Sequence, residues 1–289
     1  MEYFVIEGGH RLQGTITPVG NKNAALPLLA ATLLTDESVT LHNVPDIGDV
    51  RTKRELIAKL GGICTDLGAG SWRFNTRDVG NRQPDLELGR RIRTAPLLAG
   101  PLLARRGFVT IPRPGGDRIG RRRLDTHFQA LQALGAHIEV AHDWYELRCD
   151  KLIGADIFLD EMSVTGTEQA VLAAVLAEGT TIIRNAASEP HVQDVCNCLN
   201  AMGAKISGIG TDTVTIEGVT RLHSAEYTVG PDFMEAGDEI LFGLELASRF
   251  TWDLAHDDLI GEDARFKPPK RRLCLPSAEI RITVPCITW

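Results

Sequence analysis

Three stretches of the chain repeat one hydrophobic pattern: LPLLAATLLTDESVTLHN at 26–43, APLLAGPLLARRGFVTIPR at 95–113 and AVLAAVLAEGTTIIRN at 170–185. Each opens with an apolar run that has no polar face, which predicts a helix buried on all sides. A turn and a β-branched segment follow, predicting a strand. A second helix comes next each time and closes on KLGGICT (59–65), ALGAHIEV (133–140) or AMGAKISG (201–208). Gly61, Gly135 and Gly203 stand where a helix C-terminus needs a left-handed residue. The hairpins SWRFNTR, DWYELRC and DTVTIEG end the three units, so each reads β-α-β-α-β-β.

A repeated unit of this size cannot cover its own apolar face, so the three must assemble around shared helices. The expected fold is α/β (α+β): an inside-out, barrel-like lobe with the apolar first helices in the middle and the sheets outside. A Rossmann-like winding is the alternative, but no GxGxxG follows a strand at the required place. A fourth unit starts at EAGDEILFGLELASRFTWDLAHDDL (235–259), and then the pattern fails. Residues 260–289 hold a polar run, the basic KPPKRR segment (267–272) and a β-prone tail, with no second helix or glycine cap.

Composition narrows the function classes. A net charge of −7 gives no overall electrostatic case for nucleic acid or an anionic membrane, and KPPKRR reads as a solvated linker. The six cysteines, Cys64, Cys149, Cys196, Cys198, Cys274 and Cys286, show neither CxxC spacing nor histidine partners, so no metal is expected and they read as small buried groups in a reducing compartment. The apolar stretch 24–34 lacks a basic n-region and falls short of the about 20 residues that span a bilayer, so a cytoplasmic protein is expected.

Candidate chemistry lies in loops beside the apolar helices. In VGNKNAALP (19–27), Asn21 or Asn23 can cap the helix, and Lys22 stands where free N–H groups favour an anion; a capped helix with a surface lysine explains the same residues. In RPGGDRIGRRRLDTH (113–127), the glycines permit close approach or lid motion, and Arg118, Arg121, Arg122 and Arg123 suit phosphate or carboxylate clamping. Asp117 is a candidate general acid if desolvation raises its pKa, while the bland alternative is a solvated charged loop. Arg93 precedes the second apolar helix, SVTGTE (163–168) precedes the third, and Glu189-Pro190 stands further on. Capping alone accounts for one of Ser163, Thr165 and Thr167, and a Ser/Thr-Gly turn at a helix start also suits a pyrophosphate.

Taken together, GNKNAALP, the PGGxxIGxRxxDxH loop, SVTGTE, LAEGTTIIRNAASEP and GAKISGIGTDTVTIEGV resemble the UDP-N-acetylglucosamine 1-carboxyvinyltransferase family over residues 1 to about 237. The resemblance implies two inside-out α/β lobes that close on phosphoenolpyruvate and UDP-N-acetylglucosamine, with no cofactor, in the first committed step of peptidoglycan synthesis. It implies that residues 1–20 add a strand to the second lobe, 21–230 form the first lobe, and 231–289 form an incomplete second lobe. By motif, Lys22 and Arg122 would hold phosphate and carboxylate groups, with Asp117 as the acid. Asn23 and Arg93 would orient the substrates. Arg122, Arg123, Leu124, Asp125 and Thr126, with Ser163 and Val164, would line the UDP-sugar site.

Two departures from the family pattern carry expectations of their own. Asp117 stands where the family usually has cysteine, so insensitivity to fosfomycin is expected, and Arg121-Arg122-Arg123 replaces Ala-Arg-Pro, which alters the surroundings of the uracil. No counterpart of the family's second-lobe acid and arginines is found, so a C-terminally truncated chain with little or no activity is expected. A non-catalytic UDP-sugar-binding remnant and a shikimate-pathway enolpyruvyl transferase are the alternatives; the latter has Ser-Lys-Ser where this chain has Asn21-Lys22-Asn23.

Overall fold

The computed structural model describes residues 17–79, 83–113 and 124–234. Contacts group Val19–Gly230 as one compact unit and residues 1–18 with 231–289 as another. Almost all of the described residues belong to the first.

The first repeat runs through α1 (Lys22–Ala31), a 3₁₀ turn at Thr32–Leu34, β1 (Ser38–His42), α2 (Gly48–Lys59), β2 (Ile63–Gly68) and β3 (Ser71–Asn75). The second holds α3 (Leu86–Gly89), a 3₁₀ turn at Ala95–Leu98, α4 (Ala99–Arg106), β4 (Phe108–Pro112), α5 (Asp125–Ala133), β5 (His137–Val140) and β6 (Trp144–Arg148). The third has β7 (Asp156–Phe158), α6 (Val164–Ala174), β8 (Thr180–Arg184), α7 (Pro190–Ala201), β9 (Lys205–Ser207) and β10 (Thr213–Glu217), and β11 (Ala225–Thr228) follows.

The apolar helices lie in the middle, as their lack of a polar face requires. Every residue from Ala24 to Ala31 in α1, from Gly166 to Ala174 in α6, and from Ala99 to Leu103 in α4 is buried. Leu28, Leu29 and Leu33 are fully enclosed, and each such side chain contributes about 1.5–3 kcal/mol through removal from water. The three helices pack on one another and on the amphipathic α2, α5 and α7, with sheets on the outside. Gly61, Gly135 and Gly203 adopt φ of 104°, 97° and 99° just past the ends of α2, α5 and α7, the left-handed conformation that stops each helix.

The sheets differ from the expected three identical units. The third repeat is complete within itself, in the order β7-β8-β10-β9 with β7 and β8 parallel. The first has the matching order β11-β1-β3-β2, but its outer parallel strand is β11, delivered from the far end of the lobe. One device marks both parallel pairs. Asn43 and Asn185 follow β1 and β8 with φ of 54° and 58°, and their amides donate to the Val229 and Leu159 carbonyls beyond the neighbouring strand. The second repeat has Arg113 at that place and, among the described residues, the three strands β4-β6-β5. At the edge of β4 a side chain substitutes for a strand, the Gln83 Oε1 accepting from the Thr110 N–H at 2.7 Å.

The first helix of the second repeat is also not one regular helix. Pro96 and Pro101 lack amide donors, and the first turn tightens to 3₁₀, with Ala99 N–H donating to the Pro96 carbonyl.

Candidate functional site

Helices α1 and α6 return between or beside parallel strands and therefore begin at the carboxyl ends of those strands, where open α/β folds place ligands. A chain of contacts joins the starts of all the long helices. Lys22 Nζ at the head of α1 lies 3.7 Å from Asp49 in the first turn of α2. One turn on, Lys53 Nζ donates to the Thr94 carbonyl at 3.0 Å, at the entry to the second repeat's buried helix. Arg93 beside it places its charge next to His127 in the first turn of α5. His127 Nε2 lies 2.9 Å from Thr165 Oγ1 in the first turn of α6. Thr167 Oγ1 accepts from Ala187 N–H at 2.9 Å, just ahead of α7. Asp194 of α7 accepts from Gly230 N–H at 3.1 Å, and the Gly230 carbonyl accepts from Asn21 N–H at 2.8 Å, which returns the circuit to α1.

Helix starts carry unsatisfied N–H groups and partial positive charge, so a ring of them is a seat for anions. The caps are local. Asn21 Oδ1 accepts from Ala24 N–H at 3.0 Å, and Ser163 Oγ from Gly166 N–H at 3.1 Å. Gly166 also lets α5 come close, since a Cβ there would fall 2.8 Å from Thr126 Cγ2.

The ionisable groups under this ring are perturbed by burial. His127 drops to about 4, mainly by burial and further by Arg93, so it is neutral at neutral pH. Lys53 falls to about 7 because it is enclosed, while Glu168 opposes the fall. Burial raises Glu168 well above an ordinary carboxyl; Lys53 resists this and Glu189 adds to it. The Tyr227 hydroxyl donates to Asp194 at 2.9 Å, and burial raises this carboxyl too.

Of the residues singled out from sequence, Lys22 is half-buried and Asn23 exposed, both in the first turn of α1, and Asn21 rather than Asn23 caps that helix. Arg93 is half-buried beside His127. Leu124, exposed Asp125 and buried Thr126 start α5, with Thr126 Oγ1 donating to Asp160 at 3.2 Å. Ser163 caps α6 and Val164 is its first residue. These residues gather on the circuit of helix starts, whereas Asp117, Arg122 and Arg123 lie outside the described residues, as do 235–289.

Lys53 and the His127–Thr165 contact escaped the sequence reading. A signal for Lys53 existed: in GDVRTKRELIAK it falls on the stripe of Val50, Leu56 and Ile57, the face that α2 buries. Among the described residues, no cluster of three or more His, Cys, Asp or Glu could hold a metal, and no helix is long and apolar enough to cross a membrane.

Comparison with known proteins places the chain among enolpyruvyl transferases. The EPSP synthase family, 3-phosphoshikimate 1-carboxyvinyltransferase, matches residues 6–244. A UDP-N-acetylglucosamine 1-carboxyvinyltransferase from Bradyrhizobium diazoefficiens is 53% identical over 246 residues, covering 85% of this chain and 56% of the relative. Its counterpart from Treponema denticola is 50% identical over 249 residues, covering 86% and 58%. The chain thus spans a little over half the length of the curated relatives it matches. Among solved structures, the enolpyruvyl transferase NikO from Streptomyces tendae aligns with a TM-score of 0.71 at 22% identity, over 81% of this chain and 56% of that one. EPSP synthase from Acinetobacter baumannii aligns with a TM-score of 0.65 at 17% identity, over 83% and 54%. At these identities the two structures speak for the fold alone.

Proposed function

The chain belongs to the EPSP synthase family of enolpyruvyl transferases, and on that premise we propose that it serves the transfer of enolpyruvate from phosphoenolpyruvate to the 3-hydroxyl of UDP-N-acetylglucosamine, the cytoplasmic step that commits this sugar to peptidoglycan. The observation that carries the reading is the circuit of helix starts. It gathers Lys22, Asn23, Arg93, Leu124 to Thr126, Ser163 and Val164 at N-termini suited to a substrate with a phosphate, a carboxylate and a pyrophosphate. The acceptor sugar is favoured by relatives of about half-identical sequence that bear this name.

The chemistry is an addition followed by an elimination. The sugar hydroxyl attacks C2 of phosphoenolpyruvate while C3 takes a proton; phosphate and a proton then leave. Charge shifts onto carboxylate and phosphate oxygens, so fixed cations and a placed acid lower the barrier. In this reading Lys22 and Arg122 hold those oxygens, Asp117 supplies the proton, and Asn23 and Arg93 orient the reactants. Arg122 to Thr126, Ser163 and Val164 line the UDP-sugar. Residues 1–20 and 231–289 are assigned to the second lobe and 21–230 to the first.

The test is a pair of measurements on the full chain: calorimetric binding of UDP-N-acetylglucosamine, and phosphate release from phosphoenolpyruvate with that sugar or with shikimate 3-phosphate. Release with the sugar supports the proposal and overturns the expectation of little or no activity. Release only with shikimate 3-phosphate overturns the choice of acceptor. Binding of the sugar without release makes this chain a UDP-sugar-binding unit.

A further inference from the structure

Lys53 is among the largest fully enclosed side chains of the described residues, with 0% of its surface exposed, although it ends in an ionisable amine. An ammonium in such a place costs several kcal/mol to desolvate, and an apolar residue of like volume is commonly no worse for stability. Among the described residues Lys53 donates to a neutral backbone carbonyl, that of Thr94, at 3.0 Å. Glu168, 1% exposed and with Oε1 lacking a hydrogen-bond partner, supplies the opposing charge from the third repeat.

What the ammonium holds is the carbonyl that opens a short 3₁₀ turn and that also accepts from Leu97 N–H at 3.2 Å. Thr94 heads the 3₁₀ turn Ala95–Leu98 without a side-chain capping bond, its own hydroxyl has no partner, and Pro96 in the turn offers no N–H. The residue before Thr94 is Arg93, whose charge stands against the buried His127. A helix of the first repeat thus grips the backbone of the second immediately behind a cation of the circuit.

Resting on the enolpyruvyl-transfer reading, we propose that Lys53 is a positioning residue: its bond to the Thr94 carbonyl fixes Arg93 for the anionic substrate, with Glu168 as the buried countercharge. Arg93 does the binding and Lys53 acts through it.

The decisive test needs no ligand. The imidazole titration of His127 is followed by nuclear magnetic resonance in the full chain and in Lys53→Met, Arg93→Gln and the double variant. Arg93→Gln removes a like charge and moves the titration up. The proposal expects Lys53→Met to move it up as well, by about half a pH unit, and to add nothing in the Arg93→Gln background. Shifts that add in the double variant, or no shift in Lys53→Met, overturn the proposal, because a lysine acting by its own charge or only as filler gives those results. Lys53→Gln, whose amide can still donate to Thr94, keeps the coupling if the bond matters, and serves also if the methionine variant does not fold. In parallel, calorimetry with phosphoenolpyruvate in the presence of UDP-N-acetylglucosamine should show affinity about tenfold weaker in Lys53→Met. Full affinity there overturns the substrate half of the proposal. If the parent chain binds neither compound while the titration coupling holds, the functional reading fails and the positioning of Arg93 stands.

Discussion

Replacing Asn21 separates two jobs that one residue performs at the head of α1. Asn21 is 3% exposed, its Oδ1 accepts from Ala24 N–H at 3.0 Å, and its Nδ2 has no hydrogen-bond partner. In Asn21→Ala the Ala24 N–H loses its acceptor. On an exposed helix water takes over and the loss is about 1 kcal/mol. Here every residue from Ala24 to Ala31 is buried, so the orphaned donor pushes the cost to about 2 kcal/mol. For a domain of this size that lowers the melting temperature by about 4–8 °C. Asn21→Asp keeps an acceptor at the cap and gives up an amide that bonds to nothing, so its melting temperature stays within about 2 °C of the parent. It places a carboxylate next to Lys22, however, and a like charge near a bound phosphate costs about 1–4 kcal/mol, or at least fivefold in phosphoenolpyruvate affinity. Circular dichroism melts and calorimetry on the two variants should give opposite patterns: alanine loses stability and aspartate loses affinity. A melt of Asn21→Ala within about 1 °C of the parent would refute the assignment of the cap.

Stability should fall with acid through His127. Its pKa of about 4 in the fold lies below the ordinary 6.5, so between these values the unfolded chain binds the extra proton and stability drops as pH falls; the loss is about 3 kcal/mol across the window, and denaturant titrations of His127→Gln should show it flattened. Gly20→Ala would put Cβ 1.8 Å from the Asn43 carbonyl oxygen and should cost more than about 2 kcal/mol, whereas Gly48→Ala meets nothing within 4 Å and should be neutral or stabilising by up to about 1 kcal/mol; chemical denaturation of both checks the local packing. Fosfomycin should leave no covalent adduct at residue 117 by intact mass, because Asp117 has no thiol, and Asp117→Cys should acquire one.

The buried helices and their glycine stops were legible because each depends on its own few residues. An apolar run without a polar face has one stable place, and a left-handed stop needs a glycine where it falls. The sheets were harder. Strand pairing is a property of two segments, and nothing in AEYT at 225–228 announces that it completes a sheet begun at Ser38. Nor does the second repeat announce that Gln83 will stand in for a strand. The candidate site was legible where residues share a motif with a helix start, as Lys22, Arg93 and Ser163 do. Lys53 hid among the surface charges of α2, and only the spacing from Val50 to Leu56 betrays that it points inward.

The borrowing of β11 by the first sheet has a consequence for how such a chain is made. During synthesis α1 and β1 emerge early, yet the carbonyl that receives the Asn43 amide belongs to Val229, 186 residues later. At about 5–20 residues per second, that edge stays unpaired for about 10–40 s. The third repeat, by contrast, carries all four of its strands in one continuous stretch and can close as soon as it leaves the ribosome. The order of folding is therefore set against the order of translation: the first repeat is sealed after the third, and until then its exposed strand edge is the natural point for a chaperone to guard.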